Sequence, residues 1–143
     1  MLFFVYLFIF EKKNELDNIH KRKYKKFDLN FIRSNNPADE DYYILEFKTD
    51  RNKWNYTNQR YPTQYSGKVY INKDNFAIIK VIENWETTLS KAEIEKHFKG
   101  EKEYKNKKVV KIKQENVCTY LKVQNDKYYA SKYFNRYYAE KFS

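Results

Sequence analysis

The sequence predicts an α+β domain: a curved, half-barrel-like antiparallel sheet of about six to eight strands, with one short helix packed against it. Three observations predict it. Short β-rich runs succeed one another across turn residues, with hairpin spacing and no helical crossovers. A single segment, near residue 90, carries a full set of helix signals. Aromatic residues make up 20% of the chain, enough to fill one broad face of such a sheet.

The elements follow in chain order. Met1 to Phe10 is wholly apolar and reads as a buried strand, because ten residues fall short of the roughly 20 that cross a bilayer. A secretory signal would start on a basic residue and close on small ones, and this segment does neither. A chain that starts on a buried strand suggests part of a longer ancestral protein. Residues 11–25 are charged, and Leu16 and Ile19 allow a weak helical turn. Phe27, Leu29 and Phe31 alternate with Asp28 and Asn30, as a strand does. Arg33 to Asp41 is a turn-rich connection around Asn35-Asn36-Pro37.

Tyr42 to Lys48 is the next strand, with Tyr43, Leu45 and Phe47 on one face. Asp50 to Ser66 lacks periodicity and reads as a long loop. Lys68 to Asn72 and Phe76 to Glu83 form a strand pair joined around Lys73-Asp74. The second of these is apolar on both faces, which predicts a central or covered strand. The helix spans Lys91 to Lys99: Ser90 and Glu93 make a capping box, Leu89 and Ile94 a staple, and Gly100 suits the left-handed position beyond the end. Lys108 to Lys113, Val117 to Gln124 and Tyr128 to about Tyr138 read as three further strands, the last two joined by the Asn125-Asp126-Lys127 turn. All 143 residues make one domain.

Composition bounds the function. One Cys excludes a disulfide scaffold and a cysteine zinc finger, and two Gly cannot supply a phosphate-cradling loop as well as turns. The net charge of +10 would ordinarily point to nucleic acid. Here 24 of the 29 cations are Lys, and Asn, Ile, Tyr and Phe are abundant while Gly, Ala, Arg and Pro are scarce. That skew follows the codons of an AT-rich genome, so the charge is weak testimony to a partner.

Chemistry-bearing residues are few. His20, His97 and Cys118 are isolated, without metal-ligand spacing. His97 reads as a solvated residue at the C-terminal end of the helix, and Cys118 as an inert buried thiol. Glu83 and Glu86 bracket Trp85 and read as a solvated pair, and Glu93, Glu95 and Lys96 as the polar side of the helix. No catalytic, cofactor-binding or metal-binding residue is assigned, and no enzyme activity or cofactor is expected.

The run from Tyr65 to Val81, Tyr-Ser-Gly-Lys-Val-Tyr-Ile-Asn-Lys-Asp-Asn-Phe-Ala-Ile-Ile-Lys-Val, resembles a strand pair of Bacteroidetes cell-envelope proteins. These are the carboxypeptidase-like regulatory domain proteins, in which Gly-x-[Ile/Val]-Tyr-Ile-[Asn/Asp] turns into Phe/Tyr-Ala-[Ile/Val]-[Ile/Val]-Lys. Tyr42 to Lys48 before it and the Asn-Asp-Lys-Tyr-Tyr hairpin after it agree, so the resemblance covers roughly Asp28 to Ser143. The matching region is the β-rich part that follows the regulatory domain, similar to the lipoprotein-carrier (LolA/LolB-like) half-barrel. The motif holds no catalytic residue. The resemblance implies a non-enzymatic structural or binding domain in the cell envelope or periplasm, handling a lipid, lipoprotein or protein partner. No signal peptide is evident, which leaves the cytoplasm open.

The alternative is a basic aromatic nucleic-acid-binding module. Lys21 to Lys26, the lysines from Lys105 to Lys113, and Tyr128, Tyr129, Tyr133, Phe134, Tyr137 and Tyr138 interleaved with Lys127, Lys132 and Arg136 would carry it. Cations would hold phosphates while rings stack on bases. Its competitor is a face on which alternate rings pack inward and the lysines are solvated.

Overall fold

A computed structural model describes residues 26–50, 61–123 and 127–143. The expected strand at Met1 to Phe10, the turn around Leu16 and Ile19, His20, all but Lys26 of the Lys21 to Lys26 run, and most of the loop before Ser66 lie outside these residues.

The described residues form one open, six-stranded antiparallel sheet in which strand order is chain order. The strands are β1 (Asp28–Ile32), β2 (Tyr42–Thr49), β3 (Gln64–Asn72), β4 (Ile78–Ser90), β5 (Val109–Lys122) and β6 (Tyr128–Phe142). One helix, α1 (Lys91–His97), leaves the end of β4 and packs against β4 and β5. Among the described residues the fold is therefore a curved antiparallel sheet with one covering helix.

Alternation builds the core. Odd-numbered residues of β2, β3 and β4 share one face, and there Leu45, Phe47, Tyr65, Val69, Val81 and Trp85 are buried together with Phe27. The rings meet edge to face or stacked: Phe27 lies 6.2 Å from Tyr65 at 75°, and Tyr65 lies 5.1 Å from Trp85 at 19°. Such pairs contribute about 0.5–1.5 kcal/mol each beyond the area they bury. Gly67 lies in this row opposite Phe47, and a Cβ there would run into the Phe47 ring and the Ile82 carbonyl oxygen. The glycine makes room for the ring.

A second, smaller cluster sits under the helix, where Leu89, Ile94 and Val110 are buried with Phe98, Tyr104 and Ile112 around them. The capping box forms as the spacing predicts. The Ser90 hydroxyl oxygen accepts from the Glu93 N–H, and the Glu93 carboxylate accepts from the Ser90 N–H at 2.8 Å. The helix ends at His97, two residues short of the expected Lys99, and Gly100 takes the left-handed conformation with φ +91°.

Several boundaries differ from the sequence reading. β3 begins at Gln64, inside the expected loop. β4 runs on to Ser90, because Asn84, Glu86 and Thr88 occupy its solvent side while Trp85, Thr87 and Leu89 continue the buried side. β5 is one strand where two were expected: Gln114-Glu115-Asn116 stays in the ladder, pairing with Tyr137, Arg136 and Asn135. Phe76, expected to open β4, lies in the preceding turn.

Candidate functional site

The β3–β4 turn is built by asparagines. Asn72 Oδ1 accepts from the N–H groups of Asp74 and Asn75 at 2.8 and 3.2 Å, and Asn75 Oδ1 accepts from the Ala77 N–H at 3.0 Å. The turn closes when the Phe76 N–H donates to the Asn72 carbonyl at 3.0 Å. This closure puts Phe76 at φ +56°, the left-handed region that a bulky residue enters only at a cost. Asn75 Nδ2 also donates to the Tyr128 hydroxyl at 2.8 Å, tying the turn to the start of β6.

Phe76 does not recover that cost by burial: 71% of it is exposed. Its ring stacks on Tyr43 at 6.4 Å and 6°, and Tyr43 in turn meets Phe31 edge to face at 6.4 Å and 76°. The three exposed rings wall a groove of about 1040 Å³, together with Ile71 and the connection from Arg33 to Glu40. That connection holds its shape by local hydrogen bonds. Asn36 caps a one-turn 3₁₀ helix at Pro37–Asp39, and the Ser34 hydroxyl donates to Asp39 at 2.6 Å. Lys73 sits over the Tyr43 ring at 5.7 Å and donates to the Glu40 carbonyl. The groove is thus an open aromatic recess whose charged neighbours, Arg33, Lys73, Asp39 and Glu40, balance in sign.

The groups with reactive potential lie elsewhere, sealed into the sheet. Glu83 is buried, contrary to its reading as half of a solvated pair with Glu86. The extension of β4 explains the correction, since residues three apart on a strand face opposite sides. The Tyr65 hydroxyl donates to Glu83 Oε1 at 2.6 Å. Burial pushes the Glu83 carboxyl up and the hydrogen bond from Tyr65 pulls it back. Burial, then the facing carboxylate, raises the Tyr65 hydroxyl well above its ordinary range, so it remains a donor. Glu86 is exposed, 3.7 Å from Lys113 Nζ.

Cys118 is a buried thiol, as expected. Near it the Tyr120 hydroxyl is buried without a hydrogen-bond partner among the described residues, and burial raises its titration. His97 is not simply solvated: it is half-buried, its ring 4.1 Å from that of Tyr61. Glu95 pairs with Lys91 at 3.7 Å on the solvent side of α1. Among the described residues, no three His, Cys, Asp or Glu side chains gather as metal ligands, and no helix is long and apolar enough to cross a membrane.

Most rings of β6 are open to solvent: Tyr129, Tyr133, Phe134, Tyr137, Tyr138 and Phe142 are exposed, while Tyr128 is half-buried. The face of the sheet opposite the aromatic core carries cation–ring pairs, Lys80 over Tyr70, Lys111 over Phe142 and Arg136 over Phe134. Glu46, Glu86, Glu115 and Glu140 stand among them on the same side. Sequence reasoning missed the groove because it assigned Phe76 to a strand. The available signal was the run Asn72-Lys73-Asp74-Asn75, long enough and polar enough for a turn that continues into Phe76.

No known family, curated protein or solved structure matches the chain.

Proposed function

We propose that the chain is a non-enzymatic binding domain that holds an apolar chain, the acyl chain of a lipid or lipoprotein, in the groove walled by Phe31, Tyr43 and Phe76. The observation that carries this reading is Phe76: a bulky residue in a costly backbone conformation, its ring stacked on Tyr43 and left open to solvent. Backbone strain that burial does not repay argues for a role of the ring itself. Aromatic walls and balanced charge suit an apolar occupant better than an ion. The groups that could perform acid–base or nucleophilic chemistry, Glu83 and Cys118, are closed off from the groove and from solvent. The resemblance of the β3–β4 hairpin to envelope proteins adds the setting, the cell envelope.

The test is uptake of an anthroyloxy-labelled stearate probe, followed by fluorescence and competed with unlabelled fatty acid and with lysophospholipid. The reading expects saturable uptake that weakens at least tenfold in Phe31→Ala and Phe76→Gly. Uptake that is absent, or indifferent to both substitutions, overturns it. Preference between the two competitors separates a free fatty acid from a lipid headgroup-bearing ligand.

Nucleic-acid binding is the second reading, favoured by the three cation–ring pairs on the face opposite the aromatic core. The four glutamates interleaved with them lower the field that phosphates would meet. Binding of a short mixed single strand that falls steeply with salt would support it.

A further inference from the structure

Strand β6 ends the sheet, and among the described residues nothing pairs with its outer side. It is 15 residues long, and no Pro interrupts it. Edge strands of this length, carrying exposed rings, are ordinarily blunted or paired. The Phe142 carbonyl accepts from the Lys108 N–H at 2.8 Å, so even-numbered residues turn their backbone groups toward β5. The odd-numbered ones, Tyr133, Asn135, Tyr137, Ala139 and Lys141, turn theirs outward to the open edge. An irregularity opposite Thr119 and Tyr120 confines the regular stretch to Lys132 through Phe142.

That stretch is complementary to itself. Two copies related by a two-fold axis at Tyr137 run antiparallel with every regular residue paired. Lys132 then faces Phe142, Tyr133 faces Lys141, and Arg136 faces Tyr138, so each cation meets a ring. Glu140 falls opposite Phe134, with Lys132 and Arg136 of the other copy as its diagonal neighbours. No like charges stand opposite each other. Centring the pair at Arg136 would set that arginine against itself, and centring it at Phe134 would set Lys132 against Arg136.

From this complementarity of charge and ring along one open edge, we propose that β6 pairs with β6 of a second copy, continuing the two sheets into one twelve-stranded sheet. The occupant of the edge is the chain itself, and the two-fold register closes the assembly at two copies. The proposal is independent of the groove, whose walls come from β1, β2, the end of β3 and the β3–β4 turn and include no residue of the Lys132 to Phe142 stretch.

The test is sedimentation equilibrium of the intact chain across a concentration series, for the wild type and Tyr137→Lys. The expected result is a wild-type species of twice the 17.7 kDa chain mass, shifting at least tenfold in dissociation constant in Tyr137→Lys, which places two cations at the axis. Circular dichroism establishes that the variant is folded. Should it not fold, Tyr137→Cys in a Cys118→Ala background replaces it: a short bismaleimide is expected to link two copies there and not in a matched Glu95→Cys control. A monomer at every concentration overturns the proposal, as does open-ended association, a dimer indifferent to Tyr137→Lys, or equal cross-linking at both cysteines.

Discussion

The hydroxyl of Tyr65 and the carboxylate of Glu83 meet at 2.6 Å inside the aromatic core, on neighbouring strands two rungs apart in the ladder. Burying a carboxyl group is costly, and this hydrogen bond offsets part of the cost. The arrangement leaves Glu83 titrating higher in the folded chain than in the unfolded one.

The sign of the pH dependence follows. A carboxyl whose folded pKa exceeds its unfolded value contributes stability that is full below the unfolded value and lost as pH rises through the folded one. The stability of the wild type relative to Glu83→Gln is therefore expected to fall as pH rises above the ordinary carboxyl range of about 4.3. Tyr65→Phe removes the donor and is expected to cost about 1–3 kcal/mol, more at neutral than at acid pH. Urea unfolding at a series of pH values checks both: an advantage over Glu83→Gln that grows with pH, or a Tyr65→Phe cost that shrinks with it, contradicts the account.

Gly67 gives way to the Phe47 ring on one side and to the Ile82 backbone on the other. Gly67→Ala is expected to destabilise by about 1–3 kcal/mol or more, since overpacking a dense core forces neighbours off their positions. Adding Phe47→Leu relieves the ring but not the carbonyl, so rescue in the double variant is expected to be incomplete. Thermal unfolding of the three variants measures it.

Phe76 separates binding from stability. Phe76→Gly removes the left-handed strain and is expected to raise stability by about 1 kcal/mol, less what the ring stacked on Tyr43 contributes. The same change is expected to weaken uptake of the stearate probe. A variant that is both less stable and unimpaired in uptake would show that the ring serves the fold alone.

Ser90→Ala removes the hydroxyl that caps α1 and is expected to cost about 1 kcal/mol by chemical denaturation. The first helical turn also holds Glu93, whose carboxyl lies below the usual range because the Ser90 N–H and then the Ser90 hydroxyl bond to it. Its contribution is lost as pH falls through that lowered value. Acid is therefore expected to narrow the gap between Ser90→Ala and the wild type.

Much of this was legible in the chain. β2 and the hairpin of β3 and β4 announce themselves through alternation, and α1 through Ser90, Glu93 and Gly100, because these signals are local. The unity of β5 was not, because Gln114, Glu115 and Asn116 break the apolar pattern and are kept in the ladder by partners on β4 and β6. Glu83 was misplaced for a related reason: its partner Tyr65 belongs to another strand, and no local rule brings them together. The groove was illegible because it joins Phe31, Tyr43 and Phe76 from three separate segments, one of them set by a backbone angle that the identity of Phe76 argues against.

The order of the strands bears on how the molecule forms. Among the described residues, each strand hydrogen-bonds only to those before and after it in the chain. No segment has to pass across another, and each new hairpin can lay down on an edge that already exists. The closure cost is smallest at the short β3–β4 and β5–β6 connections and larger where 50–63 and 91–108 intervene. Such a sheet grows like a row of dominoes set from the middle, with β3 and β4 the natural start and β1 and β6 the last to settle. The same order makes its loosening directional: the ends can peel while the aromatic centre stays shut.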